Sequence, residues 1–180
     1  MVPKFSFLTK GKGVSKEKLT SFEMALRDAG IAEFNLVKVS SIMPPFCKII
    51  SKKEGLKKLS PGQIVYVVLS ESATNEHGRK VAASVGIAMP ADRSQHGYLS
   101  EHHSFGQSKK EAGVYAEDLA AYMLATTLGA PFDADKNYNE QKDIWKISGH
   151  TVKTRELTSF GEGPKDGNWI TVLSAMVLII

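Results

Sequence analysis

The residues most able to do unusual chemistry are two adjacent serines, Ser40 and Ser41, which stand shortly before Pro44 and Pro45. A serine hydroxyl lies close to the carbonyl carbon of the residue before it, and by attacking that carbon it converts the amide bond into an ester. An ester is the better leaving group, so such a serine can break its own chain. A serine pair by itself is nevertheless typical of an ordinary turn.

A second polar cluster contains Glu101 and three histidines, His96, His102 and His103. These residue types ligate zinc, but no HExxH or CxxC pattern is present. If the segment is a strand, His102 and His103 point to opposite faces of it. A metal hydrolase is therefore disfavoured and no metal site is predicted, while Glu101 alone is typical of a solvated surface residue.

Two other motifs are weaker candidates for chemistry. The single cysteine, Cys47, has apolar neighbours, which favours a buried packing role over a nucleophile. The segment Gly11-Lys12-Gly13 lacks the remainder of a phosphate-binding loop.

The serine pair must be positioned by the elements around it. The run from Glu33 to Val39 predicts a strand, and Pro44 and Pro45 prevent it from continuing as a regular ladder. Ser40 and Ser41 are therefore expected at the exit of a strand.

The remaining elements follow from hydrophobic periodicity and from glycine and proline positions. The first helix is predicted within residues 11–30, with Ser15 as its cap, Gly30 as its stop, and an apolar stripe of Leu19, Phe22, Ala25 and Leu26. A second helix is predicted over Lys109 to Leu128, with an inner side of Tyr115, Leu119, Tyr122, Met123 and Thr126. The other predicted strands are Pro3 to Leu8, Ile64 to Ser70, Val81 to Met89, and a hairpin of Trp145 to Leu157 and Asn168 to Ile180.

Composition restricts the class of protein. The chain has 180 residues, of which 42% are hydrophobic and 23% charged, as expected for a single compact domain over 1–180. The net charge of +4 is spread along the chain, which disfavours nucleic acid as a partner. One cysteine, no long apolar segment and no signal-peptide pattern predict a cytoplasmic protein with no membrane partner.

The surroundings of the serine pair carry a family resemblance. The segment from Asn35 to Pro45, NLVKVSSIMPP, closely resembles the self-cleavage region of pyruvoyl-dependent arginine decarboxylases. The segments SFEMALRDAGI, IVYVVLS and GYLSEHHSFG are similar to that family too, so the resemblance covers most of the chain.

The resemblance implies a specific chemistry. Self-cleavage between Ser40 and Ser41 would give a beta chain of residues 1–40 and an alpha chain of residues 41–180, with Ser41 converted into a covalent pyruvoyl cofactor. The pyruvoyl carbonyl forms a Schiff base with L-arginine, which loses CO2 to give agmatine for polyamine biosynthesis. By resemblance, Glu101 is the proton donor.

The resemblance also implies a fold and an assembly: a four-layer αββα sandwich with mixed sheets, forming a homotrimer or a dimer of trimers. Strand geometry puts Asn35 roughly 20 Å from Ser41, because six residues at ~3.3 Å each separate them. Unless the strand bends, Asn35 serves the Ser41 of a neighbouring subunit. A capping or strand-edge asparagine is the alternative.

Glu23 is the candidate partner for the guanidinium of the substrate, because a planar carboxylate pairs with that group. Family members commonly have aspartate there, and Glu23 is equally compatible with a solvated helix position. Two other functions stay open: a pyruvoyl-dependent decarboxylase of another amino acid, and an unprocessed, non-catalytic trimeric homologue.

Overall fold

Twelve elements form the protein in its computed structural model, which describes residues 1–129 and 152–180. The strands are β1 (Phe5–Ser15), β2 (Asn35–Lys38), β3 (Ile42–Met43), β4 (Lys48–Ile49), β5 (Ile64–Thr74), β6 (Lys80–Pro90), β7 (Gly97–Phe105), β8 (Val152–Glu162) and β9 (Trp169–Ile179). The helices are α1 (Lys18–Ala29), α2 (Lys52–Leu56) and α3 (Lys109–Thr127). In the part of the chain that the structure describes, every helix is too short or too polar to span a bilayer.

Two sheets pack face to face between the long helices. The first, of order β2-β5-β9-β1-β4, is mixed, because the β2–β5 and β1–β4 pairs are parallel. The second, of order β3-β7-β6-β8, is entirely antiparallel. Helix α1 packs on the mixed sheet and α3 on the antiparallel sheet. The αββα sandwich is confirmed, but only one of its sheets is mixed.

The space between the sheets is filled by apolar side chains from both of them. This core contains Met43, Cys47, Val68, Val85, Ile87, Leu99, Met176 and Leu178. A second cluster lies between the mixed sheet and α1. Strands β5 and β9 are covered on both faces, which explains their nearly continuous apolar runs.

Helix α1 lies unusually close to β1, because two glycines of that strand leave room for it. A Cβ on Gly11 would stand 2.0 Å from the Ala25 carbonyl oxygen, and one on Gly13 would stand 2.2 Å from the Ser21 carbonyl oxygen. Strand β1 runs on to Ser15, beyond the predicted end at Leu8. The prediction that Ser15 caps α1 is wrong, because Ser15 belongs to the strand and Glu17 occupies the cap position. The predicted stop is confirmed, because Gly30 adopts φ 71°.

The predicted stripe of α1 is partly correct. Ala25 is fully buried, and Phe22 and Leu26 pack against the core. Leu19 is 79% exposed and does not belong to the buried stripe.

The inner face of α3 differs from the prediction. Tyr115 and Tyr122 are 51% and 40% exposed. The buried residues of α3 are all alanine or glycine except Leu124. They are Ala112, Gly113, Ala116, Ala120, Ala121, Leu124 and Ala125. The reason is close packing, since a Cβ on Gly86 of β6 would stand 2.1 Å from the Ala116 carbonyl oxygen. A helix this close to a sheet leaves room mainly for small side chains at the contact.

The last two strands do not form the predicted hairpin. Strand β8 pairs with β6 in the antiparallel sheet, whereas β9 pairs with β1 and β5 in the mixed sheet. The Gly-rich segment between them carries the chain from one sheet to the other. The part of the predicted strand before Val152 lies outside the described residues.

Candidate active site

The Ser40–Ser41 bond lies where the chain crosses from the mixed sheet to the antiparallel sheet. On the upstream side, β2 runs parallel to β5, and the Val39 N–H still donates to the Val67 carbonyl at 3.0 Å. On the downstream side, the Leu99 N–H donates to the Ser41 carbonyl at 2.8 Å, and β3 pairs with β7. The serine pair is thus at a strand exit, as predicted.

A tight turn surrounds Ser41. The Ile42 N–H donates to the Ser40 carbonyl oxygen at 3.0 Å, which closes a three-residue turn centred on Ser41. Ser40 is exposed and Ser41 is half-buried. An N–H directed at a carbonyl oxygen stabilises the negative charge that develops there when a nucleophile attacks the carbon.

The hydroxyl of Ser41 donates a hydrogen bond to Oε2 of Glu101. Glu101 comes from the exposed part of β7, where it is paired in register with Val85 of β6. The fold therefore joins two of the residues singled out from the sequence, although 60 positions separate them. A carboxylate in this place can accept the hydroxyl proton of a serine that acts as a nucleophile.

The histidines near Glu101 do not join it. His102 is hydrogen-bonded through Nε2 to Gln107 at 2.8 Å, and its ring lies 4.4 Å from that of Tyr115 on α3. His103 faces a groove on the opposite side of β7, as the alternation of a strand predicts. In residues 1–129 and 152–180 no three His, Cys, Asp or Glu side chains are arranged to hold a metal ion.

Asn35 is the first residue of β2 and lies at the far end of that strand from Ser41. Its side-chain amide donates to the Gly62 carbonyl at 2.7 Å, and the residue is exposed. The chain from Asn35 to Val39 is extended, and its four steps of ~3.3 Å each amount to ~13 Å before the chain reaches Ser40. This chain's fold does not bring Asn35 to its own Ser41.

Glu23 lies on α1, on the outer side of the mixed sheet. Its Oε1 accepts a hydrogen bond from Nε of Arg27 at 2.6 Å, one helical turn away. Both side chains are partly exposed, at 41% for Glu23 and 72% for Arg27. The contact found for Glu23 is thus an ion pair with a guanidinium of its own helix.

One of two described cavities borders Ser40. An apolar cavity of about 420 Å³ is lined by Met1, Val2, Pro3, Val39, Ser40, Ile42, Pro44, Pro45, Tyr66, Leu178 and Ile180. A larger groove of about 540 Å³ is lined by Lys18, Leu19, Phe22, Glu71, Ser72, Ala73, His103, Phe105 and Thr171. Neither lining includes Ser41 or Glu101.

Sequence reasoning missed the main-chain groups of this site. The N–H groups of Ile42 and Leu99 hold the two serine carbonyls, and their side chains carry no signal of that role.

Cys47 follows the prediction. It is fully buried, and burial raises the pKa of its thiol, while the neighbouring Ser6 hydroxyl and the charge of Arg93 oppose that rise only in part. A thiol held in its neutral form is a poor nucleophile.

The family model and the relatives that match this chain all carry the name of one family. A family model described as pyruvoyl-dependent arginine decarboxylase matches residues 5–180. A protein of that name from Nitrosopumilus maritimus is 55% identical over 180 residues, covering 100% of this chain and 98% of the relative. Another from Methanococcoides burtonii is 54% identical over 180 residues, covering 100% of both. A probable pyruvoyl-dependent arginine decarboxylase from Chloroherpeton thalassium is 55% identical over 178 residues, covering 99% of this chain and 98% of the relative.

Proposed function

Because the chain belongs to the pyruvoyl-dependent arginine decarboxylase family, we propose that Ser41 is the precursor of its pyruvoyl group and Glu101 its proton-transferring residue. Family membership makes the chain a lyase that decarboxylates arginine with a covalently bound pyruvoyl group.

One observation carries the assignment of the residues. The Ser41 hydroxyl donates to the Glu101 carboxylate, and the carbonyl that this hydroxyl would attack accepts the Ile42 N–H at 3.0 Å. A nucleophile, a base and a donor for the developing oxyanion thus lie around a single peptide bond.

The Ser41 hydroxyl, the Glu101 carboxylate and the Ile42 N–H together can carry out self-cleavage. Glu101 accepts the hydroxyl proton as Ser41 Oγ bonds to the Ser40 carbonyl carbon, and Ile42 N–H stabilises the resulting oxyanion. The bond from that carbon to the Ser41 nitrogen then breaks, and the nitrogen takes up a proton, which leaves an ester. Loss of the Ser41 Cα proton expels Ser40 as a free carboxylate, and water then releases ammonia from residue 41.

The surroundings of residue 41 fit a pyruvoyl group. The Leu99 N–H holds the residue 41 carbonyl oxygen, which cleavage does not alter, at 2.8 Å. The pyruvoyl group supplies a carbonyl that accepts the electrons left when the substrate loses CO2. Glu101, on the Oγ side of residue 41, then delivers a proton to the substrate carbon.

The position of Asn35 supports sites shared between subunits. Asn35 is exposed at the far end of β2 and cannot reach Ser41 along an extended strand. We therefore place it at the Ser41 of a neighbour in a homotrimer, or in a dimer of trimers. In this assembly Glu23 is the candidate partner for the substrate guanidinium. To bind the substrate, its carboxylate would have to release the guanidinium of Arg27.

We further propose that the enzyme acts in the cytoplasm, in polyamine biosynthesis. The product is agmatine, a polyamine precursor, and the lone buried thiol of Cys47 is compatible with the reducing cytoplasm.

Intact mass under denaturing conditions tests the cofactor, and release of CO2 from carboxyl-labelled arginine by the same sample tests the substrate. The expected result is two fragments that break after residue 40, with the larger carrying pyruvoyl, and CO2 released from arginine. Ser41→Ala is the control and should remain one uncut, inactive chain.

Two results would contradict the proposal. Fragments of normal size from Ser41→Ala would remove Ser41 as the precursor. A processed protein that releases CO2 from another amino acid but not from arginine would favour the alternative decarboxylase.

A further inference from the structure

We propose that Arg93 is a positioning residue that clamps the turn after the cleavage site and thereby holds residue 41 in place for self-cleavage and turnover. This inference rests on the proposed function of Ser41. It concerns the segment from Pro44 to Cys47, which lies outside the constellation of Ser41 and Glu101.

The segment is a strained turn. The Cys47 N–H donates to the Pro44 carbonyl at 3.2 Å, which closes a four-residue turn with Pro45 in its second position. Phe46 occupies the third position with φ 57°, as in a type II turn, where glycine is the usual residue. Among the described residues Phe46 is the only non-glycine with positive φ, and its 66% exposed side chain gains little from packing. Something else must hold this conformation.

Arg93 contacts the turn through both its main chain and its side chain. Its carbonyl oxygen accepts the Phe46 N–H at 3.0 Å. Its guanidinium donates through Nη2 to the Cys47 carbonyl at 2.5 Å and through Nη1 to the Met89 sulfur at 3.0 Å. In the described ranges no carboxylate pairs with this half-buried guanidinium. A charged donor on a carbonyl makes a strong hydrogen bond, and here that bond fixes the turn.

The clamp matters because few main-chain hydrogen bonds hold the residues directly after Ser41. Strand β3 contains only Ile42 and Met43, paired with Tyr98 and Gly97 of β7. Once the chain is cut, residue 41 is a chain end held by this short ladder, the Leu99 N–H and the turn that follows. Loosening the turn therefore lets the end move relative to Glu101, and small displacements of reacting groups are costly in rate.

The experiment measures the cleavage rate of freshly synthesised chain, well below its melting temperature, for the unaltered protein and for Arg93→Met. We expect cleavage to slow by about tenfold or more in Arg93→Met. Arg93→Lys, which keeps a charged donor for the Cys47 carbonyl, should stay within about threefold of the unaltered rate. Arg79→Met is the matched control: it removes a guanidinium whose partner is Glu76, remote from the turn, and should leave the rate unchanged.

A second pair of variants separates positioning from general destabilisation. Phe46→Gly removes the strain that Arg93 opposes, so Arg93→Met should slow cleavage by less than about threefold in a Phe46→Gly background. A merely structural role would instead leave the effect of Arg93→Met equal in both backgrounds, and that result overturns the inference. So does an unchanged cleavage rate in Arg93→Met. Absence of cleavage in the unaltered protein would contradict the proposed function of Ser41, which distinguishes the two failures.

Discussion

The chain is held very differently on the two sides of the Ser40–Ser41 bond. Upstream, β2 is a four-residue edge strand whose residues are exposed or only partly buried. Downstream, β3 has two residues, but Met43 is 1% exposed and the clamped turn follows directly. Anchoring is therefore stronger on the side with fewer paired residues, because burial and a closed turn outweigh strand length.

The difference suggests a division of labour across the bond. The downstream side holds residue 41 against the Glu101 of the same chain. The upstream strand, at the open edge of the mixed sheet, presents Asn35 outward. An exposed edge of this kind is available to a second copy of the chain.

The largest expected effect lies on the downstream side. Glu101→Gln keeps the shape of the side chain but cannot transfer a proton, so turnover of processed enzyme should fall by about 100-fold to 10,000-fold. KM for arginine should change far less. Because Glu101 is also the proposed base of self-cleavage, the rate is expressed per pyruvoyl-containing subunit in the processed fraction of the variant. Steady-state kinetics on that fraction would check this, and an unchanged turnover number would remove Glu101 as proton donor.

The upstream side is tested by mixing two inactive proteins. Asn35→Ala and Glu101→Gln should each have low activity, but exchange of subunits between them should restore about a quarter of the sites by random mixing, if each site takes one residue from each of two subunits. The measurement is CO2 release after refolding the two proteins together. Activity no higher than that of the separate proteins would contradict the placement of Asn35 at the Ser41 of a neighbouring subunit.

The contrast in anchoring predicts a contrast in stability. Met43→Ala should lower the free energy of unfolding by about 2 to 5 kcal/mol, because it leaves a cavity between the sheets. Val37→Ala, on the upstream strand and 40% exposed, should change it by about 0.5 kcal/mol or less. Urea denaturation of both variants in the uncut Ser41→Ala background compares them as single chains, and equal effects would contradict the proposed difference in anchoring.

The smallest effect concerns pH. Burial raises the pKa of the Cys47 thiol in the folded protein, so above the ordinary thiol pKa the unfolded chain loses a proton that the folded chain keeps. The folded state then binds more protons, and stability falls as the pH rises through that range. Cys47→Ala should lose less stability between pH 7.5 and pH 9.5 than the unaltered protein. A parallel loss in both proteins would assign the pH dependence to other groups.

Much of the fold was predictable, and the errors have identifiable physical causes. The strand exit at Ser40, the buried strands β5 and β6 and the stop at Gly30 follow from local chemistry. The inner face of α3 was wrong because hydrophobic periodicity favours large side chains, whereas Gly86 brings the helix so close that alanines form the contact. The final hairpin was wrong because a sequence does not state which sheet a strand joins.

The candidate site likewise contains residues that the sequence identified and groups that it could not identify. Ser41 and Glu101 were found through resemblance, because neither residue type is unusual by itself. The Ile42 and Leu99 N–H groups could not be found, since every residue has such a group and only the fold decides where it points. Arg93 lies in a polar loop, and its contact with the Cys47 carbonyl depends on a turn 46 residues away.

The position of β1 has a thermodynamic consequence for the processed protein. This strand belongs to residues 1–40, yet it pairs with β9 from Phe5–Ile179 to Ser15–Trp169 and has β4 on its other side. Cleavage as proposed would make the sandwich a complex of two chains whose interface is the core itself. Its unfolding would then obey mass action, and the melting temperature would rise with protein concentration, as it does for an obligate heterodimer.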